Sequence, residues 1–178
     1  MNTLLISIVM SALSHITVDN TVKDTSAQKI TIPAEHSFQS VVIYNDELVF
    51  IKEGTENEII VNSEEDANNI KYKVNDGVLV IRGKKNFLST NKPVKMIITV
   101  KNINSIVVMD DAEVRSVGEL SYRNLKLEIY GDGAIYVNTS AIEVNTFIKG
   151  LGKIEVNGNF KNTKVNKDAF GNMVTTYK

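Results

Sequence analysis

The sequence predicts an all-β fold, and within that class a right-handed single-stranded parallel β-helix, a solenoid with coils of about 19 residues. Three observations carry this expectation. The apolar residues are dominated by Ile and Val, which are stiff at χ1 and fit a pleated surface. They come in short runs separated by Asn, Asp and Gly, the residues that tolerate tight and left-handed turns. The runs also recur. Ile129-Tyr130-Gly131-Asp132-Gly133-Ala134-Ile135-Tyr136-Val137-Asn138 aligns with Ile148-Lys149-Gly150-Leu151-Gly152-Lys153-Ile154-Glu155-Val156-Asn157 at a shift of 19 residues without a gap.

From the N-terminus, residues 4–13 (LLISIVMSAL) form an apolar run of about ten, too short to span a bilayer but the length of a signal-peptide core. Ala12-Leu13-Ser14 places small residues at the spacing a signal peptidase reads, although Met1-Asn2-Thr3 brings no Lys or Arg. Alternation of Leu4, Ile6 and Ile8 also fits a buried first strand. The expected organisation is a signal peptide over 1–14, a linker with an entering strand over 15–36, and a β-helical domain over 37–178. Nothing after residue 14 has the length of a transmembrane helix.

Within the domain, β-branched runs lie at 41–43, 48–51, 59–61, 70–74, 78–81 and 96–100, then at 106–108, 125–129, 135–137, 147–148, 154–156 and 163–165. No stretch reads as an amphipathic helix; residues 64–69 are short and polar, and their acidic run is expected in a solvated loop. Val108-Met109-Asp110-Asp111-Ala112-Glu113-Val114 fits the repeat one step earlier at an offset of 21, and Val165-Asn166-Lys167-Asp168-Ala169 fits one step later at 17. In the first half, the runs at 41, 59, 78 and 96 recur at much the same interval. Stacked coils would set Ile129 under Ile148, Val137 under Val156 and Asn138 on Asn157 as an amide ladder. A β-sandwich is the alternative architecture.

Composition narrows the chemistry. With a formal net charge of -1 and acids and bases interspersed, no basic stripe offers a footprint for nucleic acid. The absence of cysteine removes disulfides, thiolate metal sites, a cysteine nucleophile and a lipidated cysteine. Two histidines, His15 and His36, stand near the N-terminus without partners at metal-ligand or Ser-His-Asp spacing. Gly131-Asp132-Gly133 opens no helix, so it is not a phosphate loop. No metal, cofactor or ordinary catalytic constellation is expected.

Two sets of side chains remain. If the repeat holds, Asp111 and Asp132 stack one coil apart with Asp110 alongside, a geometry open to paired-carboxylate glycoside chemistry or a Ca²⁺ ion, and equally to plain turn formation by Asp. Tyr130 and Tyr136 alternate with Ile129, Ile135 and Val137, so both should face solvent. Exposed rings beside turn Asp residues suit sugar recognition, which makes Tyr130, Asp132, Tyr136 and Asp111 the candidate ligand-binding residues.

The order of Phe38-Gln39-Ser40-Val41-Val42-Ile43, Val74-Asn75-Asp76-Gly77-Val78-Leu79-Val80-Ile81, Val94-Lys95-Met96-Ile97-Ile98-Thr99-Val100 and Ile103-Asn104-Ser105-Ile106, followed by the Gly131-Asp132-Gly133 and Gly150-Leu151-Gly152 turns, resembles the putative auto-transporter adhesin, head GIN domain family of exported bacterial proteins. The resemblance implies a right-handed β-helical fold and an envelope location. The leading functional expectation is thus an exported, non-catalytic envelope or cell-surface module that binds a glycan or an envelope protein. Its rivals are a β-helical polysaccharide-active enzyme using Asp110, Asp111 and Asp132, and a self-associating scaffold.

Overall fold

A computed structural model describes residues 27–33, 36–83, 93–168 and 172–177. The run at 4–13 and His15 lie outside the described residues. In chain order the elements are β1 (Gln28–Thr31), β2 (Ser40–Tyr44), β3 (Leu48–Glu53), β4 (Glu58–Val61), α1 (Glu64–Asn69), β5 (Ile70–Asn75), β6 (Val78–Gly83), β7 (Lys95–Val100), β8 (Ser105–Met109), β9 (Glu113–Leu120), β10 (Asn124–Tyr130), β11 (Ala134–Thr139), β12 (Glu143–Lys149), β13 (Lys153–Gly158), β14 (Asn162–Asp168) and β15 (Asn172–Tyr177).

These strands form two sheets. One has eight strands in the order β1-β4-β7-β3-β9-β11-β13-β15; the other has seven in the order β14-β12-β10-β8-β2-β6-β5. The inner faces share one apolar core, in which Ile43, Ile51, Ile81, Ile98, Ile129 and Ile135 are wholly buried. Along β11 and β13 every second residue is buried, the period-two signature of strands with one face on a core.

This layout corrects the expected single-stranded parallel β-helix: the fold is β-sandwich-like, with two mixed sheets. In a single-stranded parallel helix every neighbour would be parallel and the strands would stack in chain order. Here β4 runs antiparallel to both β1 and β7, and β5 runs antiparallel to β6. The order also breaks, because β3 sits between β7 and β9 and β2 between β6 and β8. The first-half runs at 41, 59, 78 and 96 therefore do not stack as one column but pair two by two: Val41 with Leu79 in parallel in one sheet, and Ile59 with Ile98 antiparallel in the other.

The 19-residue interval is a pairing register between parallel neighbours. Ile129 stands opposite Ile148, Val137 opposite Val156 and Asn138 opposite Asn157. The expected amide ladder does not follow, since Asn157 Nδ2 donates to Glu155 Oε1 at 3.3 Å. The offset of 21 one step earlier has a local cause. Tyr136 pairs with Arg115 but Asn138 with Glu119, so Ser116, Val117 and Gly118 together face one residue of β11. That bulge is closed by its own bonds. Ser116 Oγ accepts from Asn138 N at 2.9 Å and donates to Gly118 O at 3.0 Å, with Gly118 at φ +81°.

Residues 64–69, read above as a solvated loop, form α1. Its N-cap is Ser63, whose Oγ accepts from Asp66 N at 3.1 Å, and three acids fill its first turn. A six-residue helix with no buried residue gave no period to detect in the sequence. Among the described residues no helix is long and apolar enough to cross a membrane.

Candidate functional site

The chain passes from the seven-stranded to the eight-stranded sheet through tight turns stacked along one edge of the molecule. Tyr130 pairs with Met109 and Ala134 with Glu113, which lays the turn of Asp132 over that of Asp110 and Asp111. Asp132 N and Gly133 N both donate to Asp110 O. The carboxylates are aimed at backbone rather than at each other. Asp110, at φ +65°, accepts from Asn45 N through Oδ2 at 3.3 Å, and Asp132 accepts from Leu151 N through Oδ1 at 3.1 Å. Asp111 joins the same ladder by donating its N–H to Asn45 O. Among the described residues no group of three or more His, Cys, Asp or Glu could hold a metal ion.

A prediction follows for Asp132. An Asn there keeps the acceptor that Leu151 N needs, whereas an Ala removes it; Asp132→Ala is expected to cost about 1 kcal/mol and Asp132→Asn less than about 0.5 kcal/mol. Urea unfolding of both variants checks this, and equal losses would show that the bond to Leu151 N is not what matters.

The two tyrosines point outward from different sheets, so they lie on opposite faces and do not share a site. Tyr136 of β11 is half-buried beneath cations. The Arg115 guanidinium carbon lies 4.2 Å and Lys153 Nζ 5.2 Å from its ring centroid, and both cations are held by acids, Glu113 and Glu155. Little of that ring is open to a ligand.

Tyr130, on the outer face of the seven-stranded sheet, is the more accessible ring. It packs against Phe147 of β12 with centroids 5.4 Å apart and planes at 47°, forming an aromatic shelf across two parallel strands. Glu128, directly opposite Phe147, anchors the shelf: it accepts from Tyr130 Oη at 3.3 Å and pairs with Lys126 Nζ at 2.9 Å. Burial, and secondarily Glu128, raise the Tyr130 pKa, so the phenol remains a neutral donor at physiological pH. A hollow of about 310 Å³ opens on this shelf, bordered also by Asn145 and Thr146. Asn145 Nδ2 is held by Glu143 Oε1 at 2.8 Å.

Of the sequence-derived candidates, the structure thus puts Tyr130 on the shelf, Asp132 two residues beyond it, Asp111 on the turn edge and Tyr136 on the far face. Phe147, Glu128, Lys126 and Asn145 were not singled out in the sequence. The signal was available, since a 19-residue shift carries Glu128 onto Phe147 and Lys126 onto Asn145.

The molecule is thus a two-sheet all-β body with an aromatic shelf on one outer face and with Asp110 and Asp132 bonded to backbone amides. The chain belongs to the putative auto-transporter adhesin, head GIN domain family, matching it over residues 37–174. Three crystal structures share its fold. A putative adhesin from Bacteroides fragilis NCTC 9343 superposes with a TM-score of 0.50 at 13% identity, covering 84% of this chain and 95% of that one. A putative adhesin from Parabacteroides distasonis ATCC 8503 gives 0.53 at 12% identity, covering 86% and 96%. A putative lipid binding protein from the same strain gives 0.57 at 11% identity, covering 86% of this chain and 63% of that one. At these identities the likeness is one of fold. No curated protein matches the chain.

Proposed function

We propose that the protein is an exported, non-catalytic binding module of the bacterial envelope or cell surface, and that it takes a glycan on the Tyr130–Phe147 shelf. The observation that carries this reading is the shelf itself: two rings joined at a tilt, half open to solvent, with a carboxylate, an ammonium and an amide around one hollow. Apolar ring faces match the C–H faces of a sugar, and fixed polar groups orient its hydroxyls. Adhesin-type family membership supports an outward-facing role and a ligand outside the cytoplasm.

The test is binding to an immobilised polysaccharide panel, with and without Ca²⁺. Tyr130→Ala and Phe147→Ala are expected to weaken a specific hit about tenfold or more, the effect of losing an aromatic contact of 1–2 kcal/mol, while Tyr136→Ala leaves it unchanged. A panel that gives no hit, or a hit indifferent to Tyr130 and Phe147, sinks the reading.

One observation favours a second reading, a self-associating scaffold. Both sheets finish at the same end in β14 and β15, and the outer edge of each pairs with no other strand among the described residues. Sedimentation across a concentration series tests it: a growing assembly supports edge association, and a constant monomer removes it.

A further inference from the structure

The edge opposite the Asp turns carries a feature the shelf does not use. There residues 32–33 and 37–39, the β3–β4 turn and the β7–β8 connection line two adjoining hollows of about 430 and 540 Å³, which share Ser37, Asn57 and Lys101. Their scale is that of small-molecule sites. Apolar surface is supplied by Ile32 and Phe38, both buried.

The polarity of the groove is set by hydrogen bonds already made. Asn57 Oδ1 accepts from Lys101 N at 3.0 Å, which fixes the amide orientation and leaves Nδ2, with two N–H donors, as its free end. Gln39 Oε1 likewise accepts from Asn104 Nδ2 at 3.1 Å, leaving Gln39 Nε2 to donate. Lys101 adds an ammonium with no ion-pair partner among the described residues. Glu56, the one carboxylate among the described lining residues, lies at the other end of the groove near Lys29, whose ammonium is paired with Glu58. The groove therefore carries one positive and one negative charge above an apolar floor; its Asn57 and Lys101 part displays donors and the positive charge, and an acceptor-rich anion complements that part.

We propose that this groove is a second binding site, for the carboxylate of an acidic sugar, with Lys101 and the Asn57 amide holding the carboxylate and the neighbouring hydroxyls and apolar floor holding the ring. Independent of the shelf, it would let the module engage a uronic-acid unit at one edge and a sugar face on the outer sheet.

The experiment is calorimetric titration with D-galacturonate, galactose and inorganic phosphate. Galacturonate is expected to bind at least about tenfold more tightly than either of the others. Asn57→Asp keeps the acceptor for Lys101 N but replaces the amide donors with negative charge, so it is expected to lower galacturonate affinity about tenfold or more with an unchanged melting temperature; Lys101→Gln should do the same. Tyr130→Ala should leave this affinity intact. The proposal is overturned by galactose or phosphate binding as well as galacturonate, by no galacturonate binding, or by wild-type affinity in both groove variants. Loss of galacturonate binding in Tyr130→Ala would move the ligand to the shelf and equally overturn the groove.

Discussion

Gly150→Ala is expected to destabilise the protein by about 3 kcal/mol or more, from a change of one methyl group at the surface. Gly150 has φ +132°, a conformation that L side chains rarely adopt, and its missing Cβ would overlap the carbonyl oxygen of Gly131 in the turn beneath. The atom in the way is backbone, and it is fixed because Gly131 O accepts from Gly152 N at 3.1 Å. Gly131, at φ +143°, stands in the same relation to Asp110 O, so the turns stack glycine upon backbone with no room for a side chain. Leu151→Ala, at a neighbouring residue that is 63% exposed, is the control, with an expected loss below about 0.5 kcal/mol. Urea unfolding of the two variants decides the matter, and similar losses for both would contradict the close approach of the turns.

The second large effect is one of pH. Glu47, at the end of the β2–β3 turn, is only 3% exposed. Its Oε2 accepts from Val94 N at 2.9 Å, and its Oε1 fills the space where a Cβ on residue 83 would sit, which accounts for Gly83. Burial pushes its pKa up to about 7; the Val94 N–H opposes the rise, and Asp46 and Asp66 add to it. Between the ordinary value of 4.5 and about 7, the unfolded chain ionises while the folded chain keeps its proton. The stabilising contribution of the neutral acid is thus fully present below 4.5, is lost as pH rises, and is gone above about 7. That interval is worth about 3 kcal/mol. Glu47→Gln, which does not titrate, should lack this part of the pH dependence and exceed the wild type in stability at pH 8. Denaturation curves from pH 4 to 8 provide the check, and parallel profiles for the two proteins would refute a buried, proton-holding Glu47.

How much of this was legible in the sequence varies by element. The strands were readable because Ile and Val runs broken by Asn and Gly leave few other options, and the pairing of β10 with β12 and of β11 with β13 lay open in the gapless 19-residue alignment. Direction was readable at one place only. The two-residue Asp76-Gly77 link, both residues at positive φ, marks β5 and β6 as an antiparallel hairpin, whereas nothing in the Glu-Ile-Ile-Val of β4 says that it runs antiparallel to its neighbours. Extending the second-half period into the first half therefore produced the wrong architecture. The site shows the same division. Alternation places Tyr130 and Tyr136 outward, but on which face depends on sheet assignment, and the chain changes sheet between them. Glu47 gave no signal at all, since Asp46-Glu47 after a short strand reads as an ordinary wet turn.

The Ser116–Gly118 bulge has a consequence for how this fold tolerates change in length. Arg115 and Glu119 both find partners on β11, so the surplus residues are absorbed between two correctly matched ladder positions. The surplus is two residues, an even number, so the inward-outward alternation keeps its phase across the bulge; a single extra residue would have turned every later side chain of the strand to the other face. Here Leu120 still lands in the core, fully buried. Phase is counted separately along each strand, and a surplus in one turn of chain need not propagate to the next. A pair of residues can therefore be gained or shed at a single rung, and the outer face varied there, while the interior register above and below is kept.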